Sequence, residues 1–346
     1  MTPQDFAELD IKPLIAAEPA VPRDSSRLLA LNRKTGEVSH LRFSEVKNFF
    51  SPGDCLVSND TKVFPARLWG KKVSGGKMEV LLLRPLEGRR WLALAQECKP
   101  GLALHFPDGM TATALKRSEH GEWEFEFSGD DVWAYARAHG DIPLPKYILK
   151  ARGKAAKEAA QASDKNSYQT VYAQTEGSVA APTAGFHFTP ELLDGLKAKG
   201  VQTATITLHV GWGTFKMLKT PPQEHKMPPE IAALDAAQAE NINAARKAGG
   251  RIFSVGTTST RTLETFSDEN GTLQAGTRPT GLFIYPPYRF KAVDVLLTNF
   301  HLPDSTPLYL AAAFCSSWDM LYEAYRHAVE QKYRFYSYGD AMIIYE

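Results

Sequence analysis

From Gly53 to about Gly129 the chain is a succession of short β-forming runs cut by glycine- or proline-containing turns, and after residue 180 helices alternate with strands. One packing arrangement does not serve both textures, so two domains are expected. In the first stretch Leu56-Val57, Met78–Leu83, Trp91–Ala95, Thr111–Leu115 and Trp123–Phe127 are the candidate strands. Trp123, Phe125 and Phe127 alternate with Glu122, Glu124 and Glu126, the period of a half-buried strand. Short strands at this spacing predict a small barrel or sandwich. Ahead of them, Arg27–Leu31, a turn over Asn32–Gly36 and Glu37–Phe43 read as a β-hairpin.

The second texture has clear punctuation. Thr189-Pro190-Glu191 supplies a cap, a first-turn proline and a first-turn acid for a helix that Gly200 ends. Further helices are expected from Asp235 to Gly249-Gly250, over Arg261–Phe266, Ser305–Phe314 and Trp318–Lys332. Strands are expected at Val201–Val210, Arg251–Val255, Val293–Leu297 and Ala341–Tyr345. Such alternation predicts a largely parallel sheet with helices outside. Between the textures, Lys146–Lys165 carries six Lys/Arg against two acids and an Ala-rich helical spacing. It reads either as a solvated connecting helix or as a positive arm for an anionic partner.

Several chemistries are disfavoured. Forty basic against 39 acidic residues leave a net charge of +1, so any nucleic-acid surface is local rather than a global field. Cys55, Cys98 and Cys315 form no CxxC pair, which argues against a disulfide framework or zinc ribbon and fits a reducing cytoplasm. No long apolar run or apolar signal core is present, so a cytosolic, membrane-free protein is expected. HExxH, a strand-following GxGxxG, a GxSxG elbow and a Walker loop are all missing, and the histidines lack metal spacing.

Candidate ligand residues gather where strands of the second texture should end, the usual place for ligands in open α/β sheets. In Thr203–Phe215, Ala204, Ile206, Leu208 and Val210 fall on one face and three threonines plus His209 on the other. A polar stripe on a buried strand is costly unless bonded, so a cavity lining is expected; Gly211 and Gly213 would let a ligand approach the backbone. His209 is either an acid–base group or a satisfied structural histidine. Ile252–Arg261 reads as strand, glycine turn, hydroxyl-rich loop and helix start. Its Thr257, Thr258, Ser259 and Arg261 suit an anion or carboxylate, or else plain helix capping. Leu296–Thr306 runs a strand into Asn299 and His301, and Ala180–Phe188 places Thr183, Gly185 and His187 in a loop before a helix. The tail Tyr325–Tyr338 interleaves aromatic and basic residues, which either pack a terminal helix or stack on unpaired bases.

Taken in order, the stretches RDSSRLLALNRKTG, GDCLVSNDTKVFPARLWG, YQTVYAQTEGSVAAPTAGFHFT, LHVGWGTFK, VGTTSTRTLE, LLTNFHLPDSTPLYL and YRFYSYGDAMII resemble the S-adenosylmethionine:tRNA ribosyltransferase-isomerase family of the queuosine pathway. The likeness covers nearly the whole chain. The family's His-x-Met-His run reads His225-Lys226-Met227-Pro228 here.

The resemblance implies an α/β fold: an open semi-barrel domain over residues 1–60 plus 147–346, with a small all-β barrel inserted at 61–146. It implies transfer and isomerisation of the ribosyl moiety of S-adenosylmethionine onto 7-aminomethyl-7-deazaguanine at the tRNA wobble position, giving epoxyqueuosine, adenine and methionine. S-adenosylmethionine is then a substrate, with no metal or cofactor, and a monomer is expected. His209 and His187, then Asp340, are the candidates for proton transfer. The Thr257-Thr258-Ser259 run with Arg261 would hold the methionine carboxylate or ribose hydroxyls. Asn59, Asp60 and Arg67 would complete the pocket or meet tRNA. The alternatives are a related ribosyl transferase with another nucleobase acceptor, and a non-catalytic tRNA-binding protein.

Overall fold

The computed structural model describes residues 1–153, 163–215, 218 and 220–346. The Ala-rich stretch of the basic segment between residues 154 and 162 lies outside them. The hairpin is present as β1 (Arg27–Asn32) and β2 (Val38–Arg42). Its turn forms because Asn32 Oδ1 accepts from the amides of Lys34 and Thr35, and Gly36 takes a left-handed φ of 76°. Next comes β3 (Cys55–Asn59), buried along its whole length. Leu56 and Val57 therefore sit in the large sheet and not with the barrel strands around them in sequence.

After the short β4 (Thr61–Val63) the chain leaves that sheet and builds a closed, wholly antiparallel barrel. Its strands are β5 (Arg67–Lys72), β6 (Lys77–Pro85), β7 (Arg90–Leu94), β8 (Ala103–His105), β9 (Thr111–Arg117) and β10 (Trp123–Phe127), in the order β10-β7-β6-β5-β8-β9. Trp123, Phe125 and Phe127 point into its core with Trp91, Val80 and Leu82. The weakly apolar β5 and β8 are not among the candidate strands; β5 alternates Leu68 and Gly70 inside with Trp69 and Lys71 outside. Helix α1 (Val132–His139), also unforeseen, packs on the barrel, and α2 (Lys146–Ala151) and α3 (Asp164–Ser167) follow.

The chain then returns through β11 (Thr175–Ser178), which pairs with β4 in a separate two-stranded sheet, and through α4 (Pro190–Ala198), whose Thr189 Oγ1 caps the amide of Leu192, before rejoining the large sheet. The remaining elements are β12 (Gln202–Leu208), β13 (Glu230–Leu234), α5 (Ala236–Lys247), β14 (Ile252–Val255), α6 (Gly256–Phe266), β15 (Gly276–Thr280), β16 (Val295–Asn299), α7 (Thr306–Cys315), α8 (Trp318–Glu330) and β17 (Ala341–Tyr345). Asp235 caps α5 as its sequence position implies.

The large sheet is open and nine-stranded, in the order β15-β13-β12-β3-β14-β16-β17-β1-β2. It is mixed, a correction to the largely parallel sheet expected. β12, β3, β14 and β16 run parallel, but β13, β15, β17 and β2 pair antiparallel with a neighbour. β13 and β15 escape sequence reading because EIAAL and GTRPT are short, and one carries a proline. Apolar cores cover both faces, one built with α5, α7 and α8 and the other with α4 and the Phe43–Phe49 turn.

Candidate active site

The parallel strands end at one edge of the sheet, and a cleft of about 730 Å³, solvent included, opens there. β14 delivers Gly256, Thr257 and Thr258, β16 delivers Thr298, Asn299 and His301, and the loop before α4 delivers Thr183. Tyr147 from α2 and Tyr336 face each other across its rim with ring centroids 5.0 Å apart, and the Tyr147 hydroxyl bonds Ser337.

Helix α6 begins at Gly256, five residues before the expected start at Arg261. The hydroxyl-rich run is helix, not loop, because its side chains bond back along the helix. Ser259 Oγ donates to Val255 C=O at 2.8 Å, Thr260 Oγ1 to Gly256 C=O at 3.1 Å, and Thr262 Oγ1 to Thr258 C=O at 3.0 Å. Val255, at the cap position, makes no side-chain cap bond, so the first-turn amides of Gly256, Thr257 and Thr258 open onto the cleft. That end of an eleven-residue helix favours an anionic group. Ser259 is fully buried on the other side, so it does not belong to the cleft.

His187 lies behind the cleft. Asn299 Nδ2 donates to its Nε2 at 3.1 Å, so Nδ1 carries the proton and donates to Ser26 Oγ at 2.8 Å. Asn299 Oδ1 in turn accepts from Thr183 Oγ1 at 3.0 Å. Burial pushes His187 down to about 4, partly opposed by Asp340. With both nitrogens engaged, it fixes the orientation of Asn299 instead of reaching a ligand. Asp340 is 2 % exposed and accepts from the amides of Arg27 (3.0 Å) and Arg334 (2.8 Å). It also pairs with both guanidinium groups, so it anchors the chain beside β17. His301 does line the cleft: Nε2 meets Thr298 Oγ1 at 2.7 Å, and burial pushes its pKa to about 3.

The polar face of β12 is arranged differently from expectation. Thr207 Oγ1 donates to Asp60 Oδ1 at 2.6 Å, and His209 Nδ1 meets Thr61 Oγ1 at 2.8 Å. Those partners sit at the turn toward the barrel, so Thr207 and His209 are bonded within the protein, and among the described residues of this stretch Val210 lines the cleft. The His209 ring lies over Gly177, where a Cβ would stand 2.7 Å from it, and burial lowers its pKa.

Gly211 donates its amide to Glu230 Oε1 at 2.7 Å, and Gly213 lies against the Pro228 ring, 3.1 Å from where a Cβ would be. Gly213 thus makes room for the Pro228 ring, and neither glycine lines the cleft. Gly185 likewise makes room for the Tyr172 hydroxyl, which a Cβ would approach to 2.0 Å. Arg261 is buried in an ion pair with Glu230 and donates Nε to Leu282 C=O at 2.8 Å. Asn59 is consumed by β12 and α6: Nδ2 donates to Leu208 C=O and to Thr258 Oγ1, so it positions Thr258. Arg67, in β5, donates to Leu144 C=O and lies at the barrel junction away from the cleft.

Thr183, Thr257, Thr258, Asn299 and His301 are thus brought together. Tyr147, Thr298, Phe300, Tyr336 and Ser337 join them unforeseen. Tyr147 lay in a stretch that reads as a linker, and Tyr336 in a tail whose aromatic residues read equally well as core. Tyr325, Tyr333 and Phe335 of that tail are indeed buried core residues. Among the described residues no group of three or more His, Cys, Asp or Glu side chains could hold a metal, and no helix is long and apolar enough to cross a membrane.

The cleft thus presents hydroxyls, one amide, one imidazole and aromatic faces, with a helix N-terminus at one end. The family model for queuosine biosynthesis protein matches residues 8–344. The S-adenosylmethionine:tRNA ribosyltransferase-isomerase of Symbiobacterium thermophilum is 47% identical over 340 residues, covering 96% of each chain. That of Geobacter metallireducens is 45% identical over 341 residues, again 96% of each. Among solved structures, S-adenosylmethionine tRNA ribosyltransferase from Thermotoga maritima aligns over 97% of this chain and 98% of its own, with 36% identity and a TM-score of 0.53. From the model match and these full-length relatives, the chain belongs to the queuosine biosynthesis protein family.

Proposed function

We propose that this protein transfers the ribosyl moiety of S-adenosylmethionine to 7-aminomethyl-7-deazaguanine in the wobble position of tRNA and isomerises it, giving epoxyqueuosine with release of adenine and methionine. The observation that carries the reading is the cleft itself. It offers an anion-favouring helix end, hydroxyl and amide groups, and aromatic walls, which are the three recognition needs of an amino-acid-bearing nucleoside. The α6 amides with Thr257 and Thr258 would take the methionine carboxylate, Thr183 and Asn299 the ribose hydroxyls, and Tyr147, Phe300 and Tyr336 the adenine. No resident cofactor is required, since S-adenosylmethionine is consumed as the donor.

Chemically, the sulfonium acidifies C5′, so a base removes that proton, and adenine takes up a proton as it departs. His301 is the imidazole that lines the cleft, so its position makes it the candidate base; burial holds the ring neutral but also makes it a weaker base than an ordinary imidazole. His187 serves that chemistry as a positioning residue through Asn299. Incubation of the protein with S-adenosylmethionine and tRNA bearing the aminomethyl-deazaguanine base tests the reading, with nucleosides read by mass spectrometry and free adenine followed alongside. Epoxyqueuosine and adenine are expected together, and neither with unmodified tRNA. His301→Ala should lower kcat by about 100-fold or more, whereas His209→Ala should retain most turnover. Adenine release that ignores the modified base would overturn the acceptor.

A further inference from the structure

Helix α2 separates the cleft from a second concavity on the barrel side. Two adjoining hollows of about 890 and 960 Å³ share Trp69, Lys77, Glu79 and Lys146 and form one groove between the barrel strands β5 and β6 and α2. Lys146 and Lys150 line the groove, while Tyr147, between them in sequence, lines the cleft. Groove and cleft are therefore the two sides of a single helical turn.

The charge of the groove is lopsided. Arg67 answers Glu79 at 3.3 Å and Lys72 answers Glu97 at 3.5 Å. Lys77, Lys146 and Lys150 are exposed and pair with no carboxylate among the described residues. The Lys77 ammonium lies 4.3 Å from the centre of the half-buried Trp69 ring, which holds it at the groove wall. In a chain of net charge +1, such a cluster is a local anion-attracting strip.

A second basic hollow, lined by Arg27, Arg42, Lys332 and Arg334, is less suited to an outside anion. Its arginines are committed internally: Arg27 and Arg334 to Asp340, and Arg42 to Ser25 C=O at 2.9 Å.

We propose that the groove carries the phosphodiester backbone of the RNA substrate, with Lys77, Lys146 and Lys150 as its phosphate contacts, and so sets the strand from which the reactive base enters the cleft past Tyr147. The inference rests on the reading of the protein as a tRNA-modifying enzyme. Lysine contacts to phosphate act without regard to sequence and release counterions, so they leave a salt-dependent signature.

Binding of fluorescently labelled tRNA by anisotropy, across a series of salt concentrations, tests it. The variants are Lys146→Gln/Lys150→Gln and, as a charge-matched comparison, Arg42→Gln/Lys332→Gln. All four side chains point from the surface, so melting curves matched to wild type accompany each. The groove variant should bind tRNA about tenfold more weakly and flatten the slope of log K against log salt by about 1.4, the value for two single-strand phosphate contacts. KM for S-adenosylmethionine should stay within about twofold, as the groove lies outside the donor cleft. Unchanged tRNA affinity in the groove variant, or an equal loss in the comparison variant, would overturn the assignment. Failure of the enzymatic reading is distinct: wild-type protein would bind tRNA through the groove and yet release no adenine.

Discussion

At His187 both ring nitrogens are occupied, by Ser26 and Asn299, and at His301 one is held by Thr298. Burial holds these rings neutral, at about 4 and about 3 against an ordinary 6.5. The unfolded chain binds protons at both sites between pH 6.5 and 4 where the native state does not, so stability falls as pH drops through that window. The slope is up to about 1.4 kcal/mol per pH unit for each ring. Urea midpoints at pH 7 and pH 5 check this, and His187→Gln should narrow the difference between them; an undiminished difference would show that the ring is not held neutral. Residue type was informative at this scale, because hydroxyls and amides at strand ends are costly unless they meet a partner or a ligand. Which of the two they meet is not written in the residues: Thr207 meets Asp60, while Thr183 opens on the cleft.

Helix α6 concentrates that ambiguity in one element. Its sequence GTTSTRTLETF has weak helical preference, yet it is helical from Gly256, because the sheet covers it and its hydroxyls bond its own carbonyls. The same element places Arg261 beneath the cleft floor, where it pairs with Glu230 of β13, and Glu230 also holds the amide of Gly211 after β12. Removing the guanidinium takes away one ion-pair partner of the buried Glu230 and the Arg261 bond to Leu282 C=O, so Arg261→Met should destabilise the fold by about 3 kcal/mol. The double variant Arg261→Met/Glu230→Leu should recover much of that loss. Urea unfolding of the set decides it: a single variant as stable as wild type would mean that the pair is dispensable.

For the whole molecule, the decisive feature is that the barrel is inserted immediately after β3, at the edge of the sheet where the cleft opens. The outgoing and returning chains meet at its base, where Arg67 and Asp141 exchange backbone bonds of 3.1 and 2.9 Å. Gly140 sits in that crossing. A Cβ there would stand 1.9 Å from the Pro65 carbonyl oxygen, and neither backbone can yield without parting barrel from sheet. Gly140→Ala should therefore cost about 1–3 kcal/mol or more. Gly195→Ala, in helix α4 with nothing within 4 Å, should instead stabilise by up to about 1 kcal/mol. Thermal melting of the two variants should move Tm in opposite directions.

Local periodicity and backbone chemistry are enough for the two textures, the hairpin, the caps at Thr189 and Asp235, and the last strand Ala341–Tyr345, all legible in the residues. The residues also carry the family likeness, since seven ordered stretches leave few alternatives. The mixed sheet emerges only from the folded chain, because pairing direction at β13, β15 and β17 depends on which distant strand lies alongside. Folding alone separates His301 from His187 and His209, and brings Tyr147 and Tyr336 to the rim from positions 189 residues apart. Local patterns report which faces are polar, whereas a cavity is the space left between elements far apart in sequence, and its occupants are set by packing.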